Sequence, residues 1–461
     1  MEDQRLSRRD FLRTSAIAAL VMGGLAACTP AAQPAQEAGG AAGSAGSAGA
    51  PAAAPVTLAF VCDIINEGHV KVRDKWAADF SAANPGITVQ HQPTPNADYN
   101  TKIQTLFAAG TPPDIYRYLT EITPIVTVAQ KNMHVQLDDY IAADNLDLSD
   151  FRPDAVALYQ WQGKTYALPR DYGNQNLFYN VDLFNEAGVE LPPVDWEDKS
   201  FTFEVFLDML QRLVKRDGDR VTQWGFLVNR AQRPWASWVY NNGGALVHKN
   251  DQGLATDSAM TDEATVEALQ FLQDLMYKHE VSPRPDLESE LGGVELFSTG
   301  RVAVMLNNPS AVNQFRAIES FQWDVATLPI GKAERRGTGG GGTGWASGAG
   351  IKNPDAAWQF LKYITTAQAE LDEVAVGATT PSRVSVVNSE AFQDPNKPPK
   401  NAKGFAQAQE YVVRDPVHVN WPEITQRIYT PNMDLLWSGS EDAATVGARI
   451  KQDADPLFAQ S

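Results

Sequence analysis

A run of glycines between residues 338 and 350 (TGGGGTGWASGAG) carries the spacing G-x-G-x-x-G at Gly339, Gly341 and Gly344. Such glycines cradle a pyrophosphate when they form a strand-to-helix turn and an acidic residue follows about 20 residues later. Here a charged loop, residues 332–336 (KAERR), precedes the glycines, and small apolar residues follow them. This context disfavours a nucleotide site, so we predict no nucleotide cofactor.

The other residue types that carry chemistry form no recognisable catalytic or metal constellation. The chain contains no G-x-x-x-x-G-K-[ST], H-E-x-x-H or G-x-S-x-G motif, and its six histidines are scattered. Paired carboxylates such as Asp138 and Asp139 can serve glycoside hydrolysis, but adjacent pairs arise by chance among 56 acidic residues. We therefore predict no catalytic residue, no metal site and no cofactor, and keep an exported glycosidase as a minor alternative.

Aromatic residues are the more informative group. Trp235, Trp238 and Tyr240 crowd into the stretch PWASWVYN, and four more rings lie in or beside turn-like sequence: Trp161, Tyr172, Trp345 and Trp421. Rings in loops between strands and helices can stack on the apolar faces of a sugar, while Asp, Asn and Arg bind its hydroxyls. Core packing or loop anchoring is the competing interpretation for each single ring.

The N-terminal segment predicts export. Residues 7–13 (SRRDFLR) contain a twin arginine, and the apolar run 16–27 ends in small residues before Cys28. This run is too short to span a bilayer, which favours a signal peptide over an uncleaved membrane-proximal helix. Its end resembles a bacterial lipobox, which implies that residues 1–27 are removed and that Cys28 carries lipid.

Residues 28–55 are almost entirely Ala, Gly, Pro and Ser. Such a segment cannot bury enough apolar surface to fold, so we predict a flexible tether. With lipid on Cys28, only Cys62 remains as a thiol, in an apolar run that predicts a buried small hydrophobe rather than a catalytic group.

Length and charge limit the partners of the remaining chain. The protein has 461 residues and a formal charge of −18; loss of residues 1–27 removes four basic and three acidic residues and leaves −19. Nucleic acid and anionic lipid surfaces repel such a body, so we expect no nucleic-acid partner and membrane attachment only through the lipid. About 400 residues after the tether favour two domains of ordinary size.

The first part of this body alternates between strand and helix patterns. We predict strands at residues 56–62, 87–92 and 114–118; helices lie between them, at 69–83 and around Tyr99, Ile103, Leu106 and Phe107. Such alternation predicts βαβ units and a largely parallel sheet. Further along, residues 159–169 predict a hairpin around Gly163, and we predict further helices at 203–216, 261–279, 355–366 and from Met433 onward.

A series of short motifs runs through the body in a characteristic order. The motifs are NPGITV at 84–89, AAGTPPD at 108–114, GKTYALP at 163–169, LFYNVDLF at 177–184, AGV at 187–189, GRVAVM at 300–305, KNPDAAW at 352–358 and PSR at 381–383. In order and spacing, residues 56–458 resemble the extracellular solute-binding protein family 1, the sugar-binding proteins of ABC importers related to maltose-binding protein.

The resemblance implies an α/β, two-lobed, class II periplasmic-binding-protein-like fold, hinged, with a ligand cleft between the lobes. It places the first lobe at residues 56–171 with 347–390 and the second at 175–343 with 393–461. The implied crossings lie near 170–175, 343–349 and 388–393. On this basis the glycine stretch is a hinge-side loop, whose glycines tolerate the backbone changes of closure.

The resemblance also implies a set of ligand-binding residues, one position at a time. Asp63, Asn66 and Glu67 follow the first strand, and Asn66 replaces a charged residue of the maltose binder. Tyr118 matches a sugar-stacking ring and Glu121 a carboxylate that binds hydroxyls. The remaining members are Asp171, Tyr172 and Asn174 at the first crossing, Trp235 and Trp238 in the aromatic loop, and Trp345, Arg383 and Trp421. Ser310 stands where the maltose binder has a stacking tryptophan, which argues against the same sugar in the same pose.

The implied function is that of a monomeric, lipid-anchored receptor on the outer face of the cell membrane or in the periplasm. It would capture a mono- or oligosaccharide by hinge closure and deliver it to an ABC permease. A binder of polyamines or another cation on the same fold is the main alternative, suggested by the charge of −19. Arg170 and Arg383 near the crossings argue against that alternative.

Overall fold

The structure of the protein is a computed structural model that describes residues 54–377 and 380–460. The predicted signal peptide, Cys28 and the tether up to residue 53 lie outside the described residues. Within the described ranges, no helix combines the length and the apolar character needed to cross a membrane.

The first sheet contains the predicted alternation of strands and helices. Its five strands lie in the order Ile87–Pro95, Val56–Ile64, Ile115–Leu119, Thr343–Ala346 and Leu168–Pro169. The first three pair in parallel because the helices Glu67–Ala83 and Asn96–Ala108 carry the chain back between them. The last two pair antiparallel, since they come from segments that enter the sheet from elsewhere in the chain.

The helix Glu67–Ala83 shows how the local sequence sets these elements. Asn66 caps it by accepting a hydrogen bond from the backbone N–H of His69 at 2.9 Å. Trp76 and Phe80, four residues apart, are buried on one face, as predicted. The chain leaves the helix at Asn84 and turns at Gly86, whose φ of +100° suits glycine.

The second sheet also has five strands. Their order is Trp323–Ala326, Asn176–Asn180, Val302–Asn307, Arg220–Leu227 and Lys215–Asp217. Val302–Asn307 pairs in parallel with Arg220–Leu227 and antiparallel with Asn176–Asn180. Its central strands are buried apolar runs, as expected for strands covered on both faces.

Helices pack on both sheets. The predicted helices are confirmed as Phe203–Leu213, Glu263–Tyr277, Pro354–Ile364 and Thr430–Trp437. The other α-helices are Ile125–Gln130, Asp138–Ala143, Pro153–Ala157, Val181–Ala187, Gln232–Asn241, Pro285–Leu291, Gly293–Ser298, Val312–Phe315, Ala367–Ala375, Val384–Val387, Lys403–Ala408, Trp421–Ile424 and Ala443–Phe458. Short helical turns lie at Pro309–Ala311, Gln409–Tyr411 and Thr425–Tyr429.

Three pairs of short strands complete the fold. The predicted hairpin is confirmed, with Gln160–Trp161 antiparallel to Lys164–Thr165. Val247–Lys249 pairs with Ala255–Ser258, and Thr338–Gly340 pairs in parallel with Val412–Arg414.

The buried apolar residues divide into two groups. Two clusters surround the first sheet, with members between Leu58 and Ala369; Cys62 is among them, and burial raises the pKa of its thiol to about 12. Two other clusters surround the second sheet, with members between Leu177 and Phe458. No buried residue of the described ranges belongs to both groups, which gives the molecule two lobes. The residue boundaries given for the lobes above stay predictions.

The glycine stretch connects the two sheets. Gly341 bridges to Gly173 on an adjacent crossing segment, and Thr343–Ala346 then joins the first sheet. A Cβ at Gly342 would overlap the carbonyl oxygen of Asp171, and none of the glycines from 339 to 344 has a positive φ. In this conformation the glycines therefore permit close approach of two backbone segments rather than an unusual backbone angle.

Candidate functional site

A cavity of about 1090 Å³ lies between the two lobes. Its walls form where strands of both sheets end: Val56–Ile64 supplies Asp63, Ile115–Leu119 leads to Glu121, Arg220–Leu227 leads to Asn229, and Val302–Asn307 ends in Asn307. The carboxyl ends of neighbouring strands in α/β folds are the usual place for a ligand. Residues 170–175, at the first predicted crossing, and residues 340–343, just before the second, contribute to its lining.

Amide side chains dominate the wall of this cavity. They are Asn96, Asn100, Gln104, Asn174, Gln175, Asn229, Gln232, Asn307, Asn308 and Gln426. An amide both donates and accepts hydrogen bonds without carrying charge. A lining of this kind suits a neutral ligand with many hydroxyl groups.

Several buried polar atoms on the wall have no hydrogen-bond partner among the described residues. They are Asn174 Oδ1, Gln175 Oε1, Asp63 Oδ1, Arg117 Nε and Thr380 Oγ1. Asn174 is fully buried, and its Nδ2 donates to the carbonyl oxygen of Phe405 at 2.9 Å, which fixes the direction of its free oxygen. Buried polar atoms are almost always hydrogen-bonded, and leaving one unpaired costs about 1–3 kcal/mol. Three of these five atoms are oxygens that can only accept hydrogen bonds. A ligand that satisfies them must therefore supply mainly hydrogen-bond donors.

A buried network of charges forms the first-lobe side of the cavity. Asp63 Oδ2 lies 2.7 Å from Arg117 Nη1, and its backbone carbonyl accepts from Arg73 Nη1 at 2.6 Å. Arg170 pairs with Asp171 and, at 3.0 Å, with Glu373. Burial lowers the pKa of the Arg170 guanidinium, but the carboxylates of Glu373 and Asp171 outweigh it, so the pKa is raised. The two wall carboxylates of this network, Asp63 and Asp171, are thus each held by an arginine.

A second charged group spans the cavity. Arg233, in the first turn of the helix Gln232–Asn241, donates through Nη2 to Glu121 at 2.5 Å and to Asp415 at 2.6 Å. Glu121 follows a strand of the first sheet, whereas Arg233 belongs to the second lobe. The pair therefore joins the two lobes through side chains.

The structure brings five of the predicted ligand-binding residues to the cavity wall: Asp63, Glu121, Asp171, Asn174 and Trp421. Trp421 is the one tryptophan among the described residues of this wall. Its ring packs against Tyr429 and Phe458.

Five predicted aromatic residues lie in the core instead, which corrects their expected position. They are Tyr118, Tyr172, Trp235, Trp238 and Trp345. Tyr118 donates to the carbonyl oxygen of Thr123 at 2.7 Å and packs on His134. Trp345 packs between Phe60 and Trp76, because its strand turns this side chain to the helix-covered face of the sheet. A large ring gains more from this burial than from the polar cavity.

The remaining core rings and three polar residues are also placed away from the cavity. Trp238 sits among Phe203, Phe206, Phe226 and Phe271, while Trp235 and Tyr172 are buried in neighbouring clusters. Asn66 caps a helix, and Glu67 is exposed beside Lys71. Arg383 pairs with Asp150 and donates to the carbonyl oxygen of Thr365.

Sequence reasoning missed several wall residues. Arg117, Arg233 and Asp415 carried no local signal, because their roles depend on partners far away in the chain. Asn96, Asn100 and Gln104 recur every four residues on one helix, a polar stripe that could have been recognised. The segment Asn307–Ser310, noted only for lacking a tryptophan, lines the cavity with its amides.

Sequence comparison finds one matching family. The pattern of the family described as bacterial extracellular solute-binding protein matches residues 75–400. A binding protein of Brucella abortus is 26% identical over 295 residues, and this match covers 62% of the chain and 66% of the relative. The maltotriose-binding protein of Pyrococcus abyssi is 21% identical over 387 residues, covering 81% of the chain and 74% of the relative.

Structural comparison shows the same fold in proteins of this type. An ABC substrate-binding protein from Listeria monocytogenes, solved in complex with cycloalternan, superposes with a TM-score of 0.75 at 22% identity. The match covers 88% of the chain and 99% of the Listeria protein.

Proposed function

The chain belongs to the family of bacterial extracellular solute-binding proteins, and from that premise we propose that it captures a neutral carbohydrate in the cavity between its lobes. The observation that carries the proposal is the set of unpartnered buried oxygens on an amide-rich wall. Sugar hydroxyls donate to such oxygens and accept from Arg117 and from the amide N–H groups.

The size of the cavity favours an oligosaccharide over a single sugar. Its volume of about 1090 Å³ reaches the upper end of ligand pockets, about 300–1,000 Å³. Trp421 is part of the wall but only 3% exposed, so polar contacts rather than ring stacking would dominate binding. One relative is named for maltotriose, and one structural neighbour was solved with cycloalternan.

A cationic ligand is the second candidate, and the charges of the wall argue against it. Four carboxylates line the cavity, but Asp63 pairs with Arg117, Asp171 with Arg170, and Glu121 and Asp415 with Arg233. A polyamine would have to displace a partly buried arginine to reach any of them, which costs desolvation. Although the whole chain is acidic, each of these four carboxylates on the cavity wall is therefore paired with an arginine.

Catalysis finds little support in the same geometry. Glycoside hydrolysis needs one carboxylic acid that holds a proton and a second carboxylate beside it. Each of the four wall carboxylates is instead bound by an arginine, so none is free to contact a glycosidic oxygen or a water molecule. We propose a binding protein rather than an enzyme.

Hinge closure is the mechanism that we propose for capture. Ligand favours the closed form only by its higher affinity for that form, so groups from both walls must contact the same molecule. Asn96 and Asn100 on one side and Asn229 and Asn307 on the other provide such groups. The closed, loaded form would then be recognised by an ABC permease, while a lipid on Cys28 would hold the exported monomer at the membrane.

Thermal unfolding against a ligand panel tests this function. A carbohydrate at 100 times its dissociation constant should stabilise the native state by about 2.7 kcal/mol. The panel contains neutral mono- and oligosaccharides, polyols and polyamines. A shift with one sugar class supports the proposal, whereas a shift with polyamines alone, or with no member of the panel, contradicts it.

A further inference from the structure

A second cavity lies in the second lobe and has a different chemistry. Its volume is about 520 Å³, and its wall consists of Tyr240, residues 244–249, Arg335, Arg336, Val413, Arg414 and Pro416. Four permanent or near-permanent cations line it: Lys249, Arg335, Arg336 and Arg414. No aspartate or glutamate is among the lining residues in the part of the chain that the structure describes.

None of these four cations forms an ion pair with a described carboxylate, although acidic residues outnumber basic ones by 18 in the chain. Arg335 donates to the carbonyl oxygens of Tyr240 and Gly244, at 3.3 and 3.2 Å. Both partners line the cavity themselves, so these bonds hold the guanidinium at its wall and leave three N–H groups free. Arg336 is likewise fixed by the carbonyl oxygens of Leu328 and Asp198.

Lys249 and Arg414 are close enough to interact unfavourably. Burial and the nearby charge of Arg414 lower the pKa of the Lys249 ammonium group, while Asp415 opposes this shift. Asp415 forms its ion pair with Arg233, at the wall of the first cavity, and does not pair with the Lys249 ammonium group. Unpaired like charges at one cavity are destabilising unless an anion is present to bind them.

We infer that this cavity, bounded by Lys249, Arg335 and Arg414, is a binding site for the phosphate group of a small molecule. Guanidinium groups form paired hydrogen bonds with phosphate oxygens, and the lysine adds a point charge. The apolar side of the wall, which includes Leu246, Val247 and Val413, leaves room for an organic body on the phosphate. The site does not depend on the proposed carbohydrate function.

Calorimetric titration of the purified full-length protein tests the inference. Sodium phosphate and phenyl phosphate are titrated in separate experiments, with ionic strength held constant by sodium chloride so that general screening is matched. We expect saturable binding with one site per chain. Tighter binding of phenyl phosphate identifies a phosphate ester as the ligand type, and equal or tighter binding of inorganic phosphate identifies the free anion; either supports the site.

The variant Lys249→Gln with Arg414→Gln should bind the tighter probe at least about tenfold more weakly. Lys131→Gln with Arg220→Gln is the matched control, because it removes the same charge from exposed positions with no ion pair among the described residues. Unchanged melting temperatures of both variants verify the fold. The inference is overturned if the unmodified protein shows no saturable binding of either probe, or if both double variants weaken binding equally.

Discussion

The guanidinium of Arg233 lies 2.5 Å from the carboxylate of Glu121, although the two residues stand on opposite walls of the ligand cavity and 112 positions apart in the sequence. The pair connects the loop after a first-lobe strand to the first turn of a second-lobe helix. Both side chains are partly exposed, at 28% and 40%, so the contact is worth no more than about 1 kcal/mol. A contact of this strength can bias closure without locking it.

Glu121→Gln should therefore shift the ligand-free protein toward more open forms. Loss of the carboxylate charge weakens the pair across the cavity, while Arg233 keeps Asp415 as a partner. We expect a larger radius of gyration by small-angle scattering in the absence of ligand. Glu186→Gln removes an ion pair with Lys215 inside the second lobe and should leave the radius unchanged. Equal radii for all three proteins would mean that the pair does not influence closure.

Asn174→Ala should weaken carbohydrate binding without unfolding the protein. The substitution removes a buried acceptor oxygen that has no partner in the described chain, and a lost hydrogen bond of this kind costs about 1–2 kcal/mol, or roughly tenfold or more in affinity. Affinity is measured by titration with the carbohydrate that stabilises the parent protein. Asn396→Ala, at an exposed loop position, serves as the control and should bind normally. Unaltered affinity in Asn174→Ala would remove this residue from the site.

Gly342→Ala should impair both stability and binding. Its Cβ would overlap the carbonyl oxygen of Asp171 at the crossing, and relief of such overlap costs about 1–3 kcal/mol. Gly173→Ala is a matched control on the adjacent segment, because its Cβ would lie 3.5 Å from the carbonyl oxygen of Gly341, an ordinary contact. Melting temperature and carbohydrate affinity are measured for both variants. Equal values for Gly342→Ala and Gly173→Ala would show that the close approach of the two backbone segments at Gly342 is unimportant.

The positions of the tryptophans predict a fluorescence difference. Trp421 lines the cavity, whereas Trp345 is enclosed between Phe60 and Trp76. Trp421→Phe should abolish most of the change in emission that follows carbohydrate binding, and Trp345→Phe should retain it. If the signal disappears instead in Trp345→Phe, the core placement of that ring does not describe the liganded form.

Glu370 predicts a specific dependence of stability on pH. Burial raises the pKa of its carboxyl group from 4.5 to about 7, and hydrogen bonds from Ser382 and Arg383 oppose this only in part. The folded form thus binds more protons than the unfolded form between these two pKa values, so the free energy of unfolding falls as the pH rises through this window. Glu370→Gln should raise the melting temperature more at about pH 8 than at about pH 5.

The exposed Glu67, with a side chain 96% accessible, provides the control for this titration. Glu67→Gln should change the melting temperature little and equally at both pH values. A Glu370→Gln variant whose melting temperature follows that of the parent at every pH would contradict the buried, protonated carboxyl.

Elements with a strong local pattern could be predicted from the sequence. Val56–Ile64 is a continuous apolar run, and Glu67–Ala83 repeats its apolar residues every four positions, so both were found within a few residues of their ends. The places of Leu168–Pro169 and Thr343–Ala346 in the first sheet were not predicted, because both strands are more than 100 residues from Val56–Ile64 in the sequence. Local periodicity contains no information on such pairing.

The site was harder to predict for a related reason. A tryptophan in a loop and a tryptophan under a sheet have similar neighbours in sequence, and of the predicted tryptophans only Trp421 is among the residues that line the cavity. The polar wall residues depend on contacts across the fold, as Arg233 does on Glu121. The short motifs therefore indicated the family and the fold better than they indicated the residues that line the cavity.

Calorimetric titration of the purified protein with neutral oligosaccharides, and with spermidine under the same conditions, distinguishes a carbohydrate receptor from a cation receptor. We expect saturable binding of one oligosaccharide per chain, no saturable binding of spermidine, and a loss of oligosaccharide affinity in Asn174→Ala. Binding of spermidine in place of the oligosaccharides, or oligosaccharide binding that is indifferent to Asn174, would contradict the proposed carbohydrate site.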